Sequence, residues 1–170
     1  MKTLIVARHA KSSWEFPQLN DEDRPLLNKG KKRTHKVIQA LQDKDFTKPQ
    51  LIISSHAIRA FETARMFASF LHYPENQIQI SQTVYYGNKD HITDLFYSLD
   101  DDIECVMIIG HNPNILAFVN QFLIEPLDSL PTSGVVILEL PIDKWTQLAE
   151  SKAIKMMKIF PKETGKQPNA

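Results

Sequence analysis

The sequence predicts an α/β fold, a three-layer sandwich with a largely parallel central sheet and helices on both faces. Two observations carry that prediction. Apolar runs of strand length alternate with amphipathic stretches of helical period, the pattern of successive βαβ units. No repeat, low-complexity segment or linker interrupts the alternation. The 170 residues, 42% of them hydrophobic, suit a single domain with a real core.

Leu4-Ile5-Val6-Ala7 reads as the first strand. The polar stretch from Ser12 to Asp23 reads as a surface loop. Lys31 to Leu41 reads as a helix, because Thr34, Val37, Ile38 and Leu41 share one face, and Asn28 is taken as its cap. Leu51-Ile52-Ile53 is a second strand. Ala57 to Leu71 is a second helix with Phe61, Ala64, Phe67, Ala68 and Leu71 inward. Ile78 to Ile80 is a brief strand and Asp90 to Leu99 a helix. Val106 to Ile109 is a further strand. Pro113 to Leu123 is a helix, with Asn112 as N-cap and Pro113 in its first turn. Val135 to Leu140 closes the main pattern, and Ile154 to Phe160 adds an edge strand. The expected domain spans 1–161, followed by a loose polar tail, 162–170.

Composition excludes several classes of function. Twenty basic and twenty acidic residues cancel, which argues against a general nucleic-acid binder while leaving room for a local basic pocket. The single cysteine, Cys105, sits in an apolar run and reads as a buried strand thiol. No cysteine pair and no His-x-x-x-His pattern suggests a metal site, and no cofactor is expected. The N-terminal apolar run is too short for a signal-peptide core or a membrane span, so a cytoplasmic protein is expected.

Chemistry concentrates at three strand ends. The first strand runs into Arg8-His9-Ala10-Lys11. Arginine offers a planar fork of donors to phosphate, and histidine is a nucleophile or proton carrier near neutral pH. The second strand runs through Ser54-Ser55-His56-Ala57 to Arg59 at a helix N-terminus. There Arg59 either pairs with Glu62 or faces a bound anion together with the helix end. The fourth ends in Gly110-His111-Asn112-Pro113. Parallel strands share a C-terminal edge, where open α/β sheets bind ligands. Arg8, His9, Arg59 and His111 therefore converge on a phosphate pocket with a built-in nucleophile.

These pieces resemble the histidine phosphatase superfamily (branch 1, phosphoglycerate mutase-like), and within it the small SixA-type phosphohistidine phosphatases. The matching stretches are Arg8-His9-Ala10-Lys11-Ser12, Asp23-Arg24-Pro25-Leu26 before Gly30, Ser54-Ser55 with Arg59-Ala60 and Thr63-Ala64, and Gly110-His111-Asn112-Pro113. The resemblance implies a metal-free phosphatase working through a phosphohistidine intermediate. It implies His9 as nucleophile and Arg8, Arg59 and His111 as holders of the transferred phosphoryl group. Arginines nearby lower the pKa of His9, and a nearby phosphate raises that of His111. Lys11 follows closely and is either a substrate-phosphate contact or a solvated loop lysine. Ser12, Ser54 and Ser55 are lesser candidate donors, and His56 is a candidate for the pocket mouth. Arg24 is expected to brace the loop. His35, His72 and His91 are expected to face solvent, and Asp100-Asp101-Asp102 to form a polar turn.

One departure from the wider superfamily bears on substrate. Many of its phosphomonoesterases and mutases have a glutamate after the third strand. The corresponding segment here, Val84-Tyr85-Tyr86-Gly87-Asn88-Lys89-Asp90, has none, and Asp90 is a weak candidate for the acid. An alkoxide leaving group needs a proton in the transition state, whereas the imidazole of a phosphohistidine leaves more readily. The expected partner is therefore a protein phosphorylated on histidine. The alternatives are a small phosphorylated metabolite, with Asp90 or a tyrosine acting through water as acid, and a phospho-ligand binding module with little turnover. The oligomeric state is not legible in the sequence.

Overall fold

The computed structural model describes residues 1–161, and the tail expected at 162–170 lies outside the described residues. Six strands form one sheet in the order β3-β2-β4-β1-β5-β6. They are β1 (Lys2–Arg8), β2 (Leu51–Ser55), β3 (Gln79–Ser81), β4 (Cys105–Gly110), β5 (Val135–Leu140) and β6 (Lys155–Ile159). The first four are mutually parallel, and β5 alone runs against them, antiparallel to both its neighbours β1 and β6, so the sheet is mixed but largely parallel. The helices are α1 (Asn28–Gln42), α2 (Ile58–Leu71), α3 (Thr83–Tyr86), α4 (Lys89–Phe96) and α5 (Asn114–Asn120).

The alternation of side chains along β1 builds two cores. Leu4 and Val6 join one cluster with Ile92, Phe96, Phe118 and Trp145. Ile5 and Ala7 join the other with Val37, Ile38, Phe67 and Leu71. Residues two apart on a strand share a face, so α4 and α5 cover one side and α1 and α2 the other. Cys105 is buried in the second cluster, and burial pushes its thiol up to about 12.

Local differences from the sequence reading have simple causes. Asn28 is the first residue of α1 rather than its cap, Leu27 stands at the N-cap, and no side chain caps that end. Asn112 does not cap α5, which begins at Asn114; its amide donates instead to the Leu130 carbonyl at 2.9 Å. Ser12 to Asp23 is not simply a surface loop. Ser12 pairs with Leu26, Ser12 and Ser13 are buried, and Asp21–Asp23 form a 3-10 turn. The short helix α3, around Val84, has no signal in the sequence, because four residues show no period.

Register fixes the functional edge. Arg8 pairs with Gly110 and Ser54 with Ile109, so β1, β2 and β4 end side by side. His9, Ser55 and His111 are thereby brought to one place.

Candidate active site

His9 follows directly from β1. Its N–H donates to the Gly110 carbonyl at 3.1 Å, which ties the ends of β1 and β4 together. The side chain is 8% exposed, and its Nδ1 lies 2.7 Å from the Ala10 carbonyl oxygen. A carbonyl only accepts, so Nδ1 carries the ring proton and Nε2 keeps its lone pair. Ala10 is held in turn, its N–H donating to Thr63 Oγ1 at 2.9 Å, while the Thr63 hydroxyl donates to the Arg59 carbonyl at 2.7 Å. The first turns of α2 thus orient the His9 ring. Burial, helped by Arg59, Arg8 and Arg24 and opposed by the Ala10 contact, pushes its pKa down to about 4.

His111 leaves β4 just after Gly110, and its ring centroid lies 4.9 Å from that of His9. Its Nε2 is 2.7 Å from Ser55 Oγ. That hydroxyl oxygen already accepts from the Ala57 N–H at 3.2 Å and is fully buried. If His111 Nε2 carried the proton, the Ser55 hydroxyl hydrogen would be buried without an acceptor. The hydroxyl therefore donates to Nε2, and the ring proton of His111 sits on Nδ1, which is buried and unpartnered. Burial, then His9 and Arg59, push the His111 pKa down to about 3. What His111 offers at neutral pH is therefore a neutral N–H.

The two arginines are held by different partners. Arg8 donates through one terminal nitrogen to the Leu130 carbonyl at 3.2 Å, and its Nε is buried without a partner. Burial and then Arg59 lower its pKa. Arg59 is buried in the first turn of α2 but does not pair with Glu62. Its terminal nitrogens donate to the Asp21 carbonyl at 2.6 Å and to Asp21 Oδ2 at 2.8 Å, leaving a buried Nε unpartnered. Asp21 also accepts from the Tyr85 hydroxyl at 2.6 Å and from Arg24 Nε at 3.0 Å. Burial pushes the Asp21 carboxyl up, but Tyr85 and the two guanidiniums outweigh it and hold it below the usual carboxylate range. Burial and then Asp21 push the Tyr85 phenol up to about 12.

Arg8, His9, Lys11, Arg59 and His111 line one cavity of about 370 Å³. None of its lining side chains is a carboxylate. A larger groove of about 650 Å³ between α1 and α2 contains none of these five, so volume alone would misplace the site. Asp90 is not in the cavity. It stands exposed in the first turn of α4, paired with Lys89 at 3.0 Å. Ser54 Oγ donates to the Ser55 carbonyl and is not free for a ligand. His56 sits beside Arg59 but contacts Glu22 at 2.9 Å, with Tyr85 and Tyr86 packed against it. Arg24 braces the loop by donating to Ser12 Oγ and Asp21, and Trp14 stacks over its guanidinium at 3.5 Å. His35, His72 and His91 are exposed, and Asp101 and Asp102 form the expected turn.

The residues missed in the sequence are Asp21 and Tyr85, which fix Arg59, and the Leu130–Gly134 loop. That loop supplies carbonyls to Arg8, and its Ser133 N–H donates to the Arg8 and His9 carbonyls. The triple acid Asp21-Glu22-Asp23 just before Arg24 was the one available signal. Among the described residues, no group of three or more His, Cys, Asp and Glu side chains is disposed to hold a metal ion. No helix among them is long and apolar enough to cross a membrane.

A family model described as histidine phosphatase superfamily (branch 1) matches residues 4–82, a stretch containing Arg8, His9 and Arg59. An uncharacterized chloroplastic protein of Arabidopsis thaliana is 35% identical over 120 residues, covering 65% of this chain and 54% of the relative. The chain thus spans about half the length of that curated relative. Among solved structures, the protein histidine phosphatase SixA complexed with tungstate superposes with a TM-score of 0.77 at 16% identity, covering 94% of this chain and 97% of the other. A proposed phosphohistidine phosphatase SixA from Nakamurella multipartitia gives 0.73 at 22% identity, covering 92% and 95%. Both likenesses bear on the fold, the phosphoglycerate mutase-like α/β sandwich.

Proposed function

We propose that the chain is a member of the histidine phosphatase superfamily, branch 1, whose family model matches residues 4–82, and that it is a metal-independent phosphatase that removes phosphate from phosphohistidine on a protein. One observation carries the reading. His9 presents an unprotonated Nε2 in a cavity it shares with Arg8, Arg59 and His111, whose Nε, Nε and Nδ1 are buried donors without partners. In this reading a phosphoryl group with several acceptor oxygens is the ligand held by the guanidiniums and the His111 N–H.

In this reading His9 Nε2 attacks phosphorus as the bond to the leaving imidazole breaks. The Ala10 carbonyl holds the Nδ1 proton throughout, so the neutral ring needs no separate base. Phosphoryl transfer is catalysed chiefly by positioning and by stabilising charge on the equatorial oxygens, which Arg8, Arg59 and the His111 N–H supply. The departing imidazole takes a proton from water. Water then attacks the phosphohistidine on His9, the N–P bond breaks, and phosphate leaves with His9 neutral again.

The leaving group decides the substrate. Asp21 is ionised, Tyr85 keeps its proton firmly, and the cavity lining has no carboxyl group. The site thus has no group ready to protonate an alkoxide, which favours a phosphoramidate. The test is phosphate release by wild type and His9→Ala from a phosphohistidine protein and from a metabolite panel, with chelator present. Release from the phosphoprotein that disappears in His9→Ala supports the reading. Fast turnover of a metabolite with none from phosphohistidine replaces it with the small-molecule phosphatase. Tight phosphate binding without hydrolysis even of an aryl phosphate replaces it with the binding module. The reading also keeps the cytoplasm as the expected location, to be checked by imaging a tagged full-length chain, since the Arabidopsis relative is described as chloroplastic.

A further inference from the structure

Lys11 is the one residue of the opening Arg-His-Ala-Lys string that this chemistry leaves unused, and its surroundings are unusual. The Leu27 N–H donates to the Lys11 carbonyl at 2.9 Å, pinning the loop to the start of α1. Gly30 makes that approach possible, because a Cβ there would stand 2.4 Å from the Lys11 carbonyl oxygen. The first turns of α1 therefore lie against Lys11, and they carry Lys29 and Arg33 four residues apart on one helix face. Lys29 beside Lys11, then desolvation and Arg33, lower the Lys11 pKa.

Among the described residues no carboxylate offsets this clustering. The first turn of α1 has no acidic residue, and among the described residues none of the three cations forms a salt bridge. Arg24, Arg59, Arg65, Lys89 and Lys155 each have a carboxylate partner. Like charges four apart on a helix repel, and cations at a helix N-terminus are unfavourable. The chain as a whole is neutral, so this local excess does not come from a basic composition. Lys11 and Arg33 also line the same cavity as His9, Arg8 and Arg59.

We propose that Lys11, Lys29 and Arg33 form a second anion-binding subsite beside the phosphoryl pocket, selecting substrates with a further carboxylate or phosphate next to the scissile group. The proposal rests on the phosphatase reading for what lies in the first pocket. The second anion has two sources, an acidic side chain flanking a phosphohistidine or a second phosphate on a small molecule.

Calorimetry on the full chain measures the ratio of pyrophosphate to phosphate affinity, in wild type and in Lys29→Met/Arg33→Met. Wild type is expected to prefer pyrophosphate, and the double variant to lose about tenfold of that preference, the size expected for two partly exposed charge contacts. A ratio within twofold of wild type in the folded double variant overturns the proposal. A parallel arm compares kcat/KM for phosphohistidine peptides with acidic and with neutral flanks. An acidic-flank advantage that the double variant loses supports the subsite with a protein source. A pyrophosphate preference lost without any flank effect supports it with a small-molecule source. Failure of wild type to hydrolyse an aryl phosphate counts against the phosphatase reading, and the affinity ratio still decides the subsite.

Discussion

Replacing Ser55 by alanine tests the proposed role of His111 as a donor to phosphate. Ser55 Oγ is fully buried, contacts His111 Nε2 at 2.7 Å and accepts the Ala57 N–H at 3.2 Å. Ser55→Ala leaves both groups buried and unpaired. Each lost partner costs about 1–3 kcal/mol, so a loss of stability of about 2–6 kcal/mol is expected, readable as a lower denaturation midpoint. The effect on rate comes through the tautomer. If the Nδ1–H form falls to about a tenth of the population, kcat/KM falls about tenfold, because only that form presents the donor. If the ring also turns and the donor is lost, the fall reaches about 10²-fold. The assay is steady-state hydrolysis of an aryl phosphate, with ¹⁵N chemical shifts of the His111 ring in wild type. A folded Ser55→Ala protein within twofold of wild type, or a wild-type ring protonated on Nε2, refutes the reasoning.

Further outcomes follow from the same contacts. His9 has a folded pKa of about 4, below its ordinary 6.5, so its contribution to stability is present above about pH 6.5 and is lost as pH falls through 4. For His9 alone the loss is up to about 3 kcal/mol, measured by denaturant unfolding at pH 7 and pH 4. The pH profile of kcat/KM should stay flat from pH 7 downward on account of His9 until about pH 4, where protonation removes the nucleophile; a fall centred near pH 6.5 would show that His9 is not depressed. Gly30→Ala puts a Cβ 2.4 Å from the Lys11 carbonyl oxygen, so despite better helix propensity it should destabilise by about 1–3 kcal/mol, seen as a lower Tm. Asp90→Ala should leave kcat/KM within twofold of wild type, since Asp90 is exposed and outside the cavity; a tenfold loss would restore it as the acid.

What could be read in the sequence was what repeats or what punctuates. The strands β1, β2, β4 and β5 appear as apolar runs because both faces of the sheet are covered. The convergence of Arg8, His9, Arg59 and His111 on one cavity was legible because parallel strands must end at one edge. The contacts that tune them were not. Asp21 lies 38 residues from Arg59 and reaches it only because the 3-10 turn folds over α2. Tyr85 lies 64 residues from Asp21 and sits on a helix too short to show a period. Asn112 had the composition and position of a cap, but its amide was taken by the Leu130 carbonyl, a tertiary contact with no local signature. The Ser55 contact with His111 spans 56 residues across two strand ends, and sequence alone marks Ser55 as a lesser candidate donor without pointing to His111.

The central claim is that His9 Nε2 carries the phosphoryl group. The most direct measurement is rapid acid-free quenching of wild type during turnover of a radiolabelled substrate, followed by peptide mapping of the label. The account predicts acid-labile, base-stable phosphate on the peptide containing His9, absent from His9→Ala. Turnover at an undiminished rate in His9→Ala, or label recovered on a different residue, would contradict it.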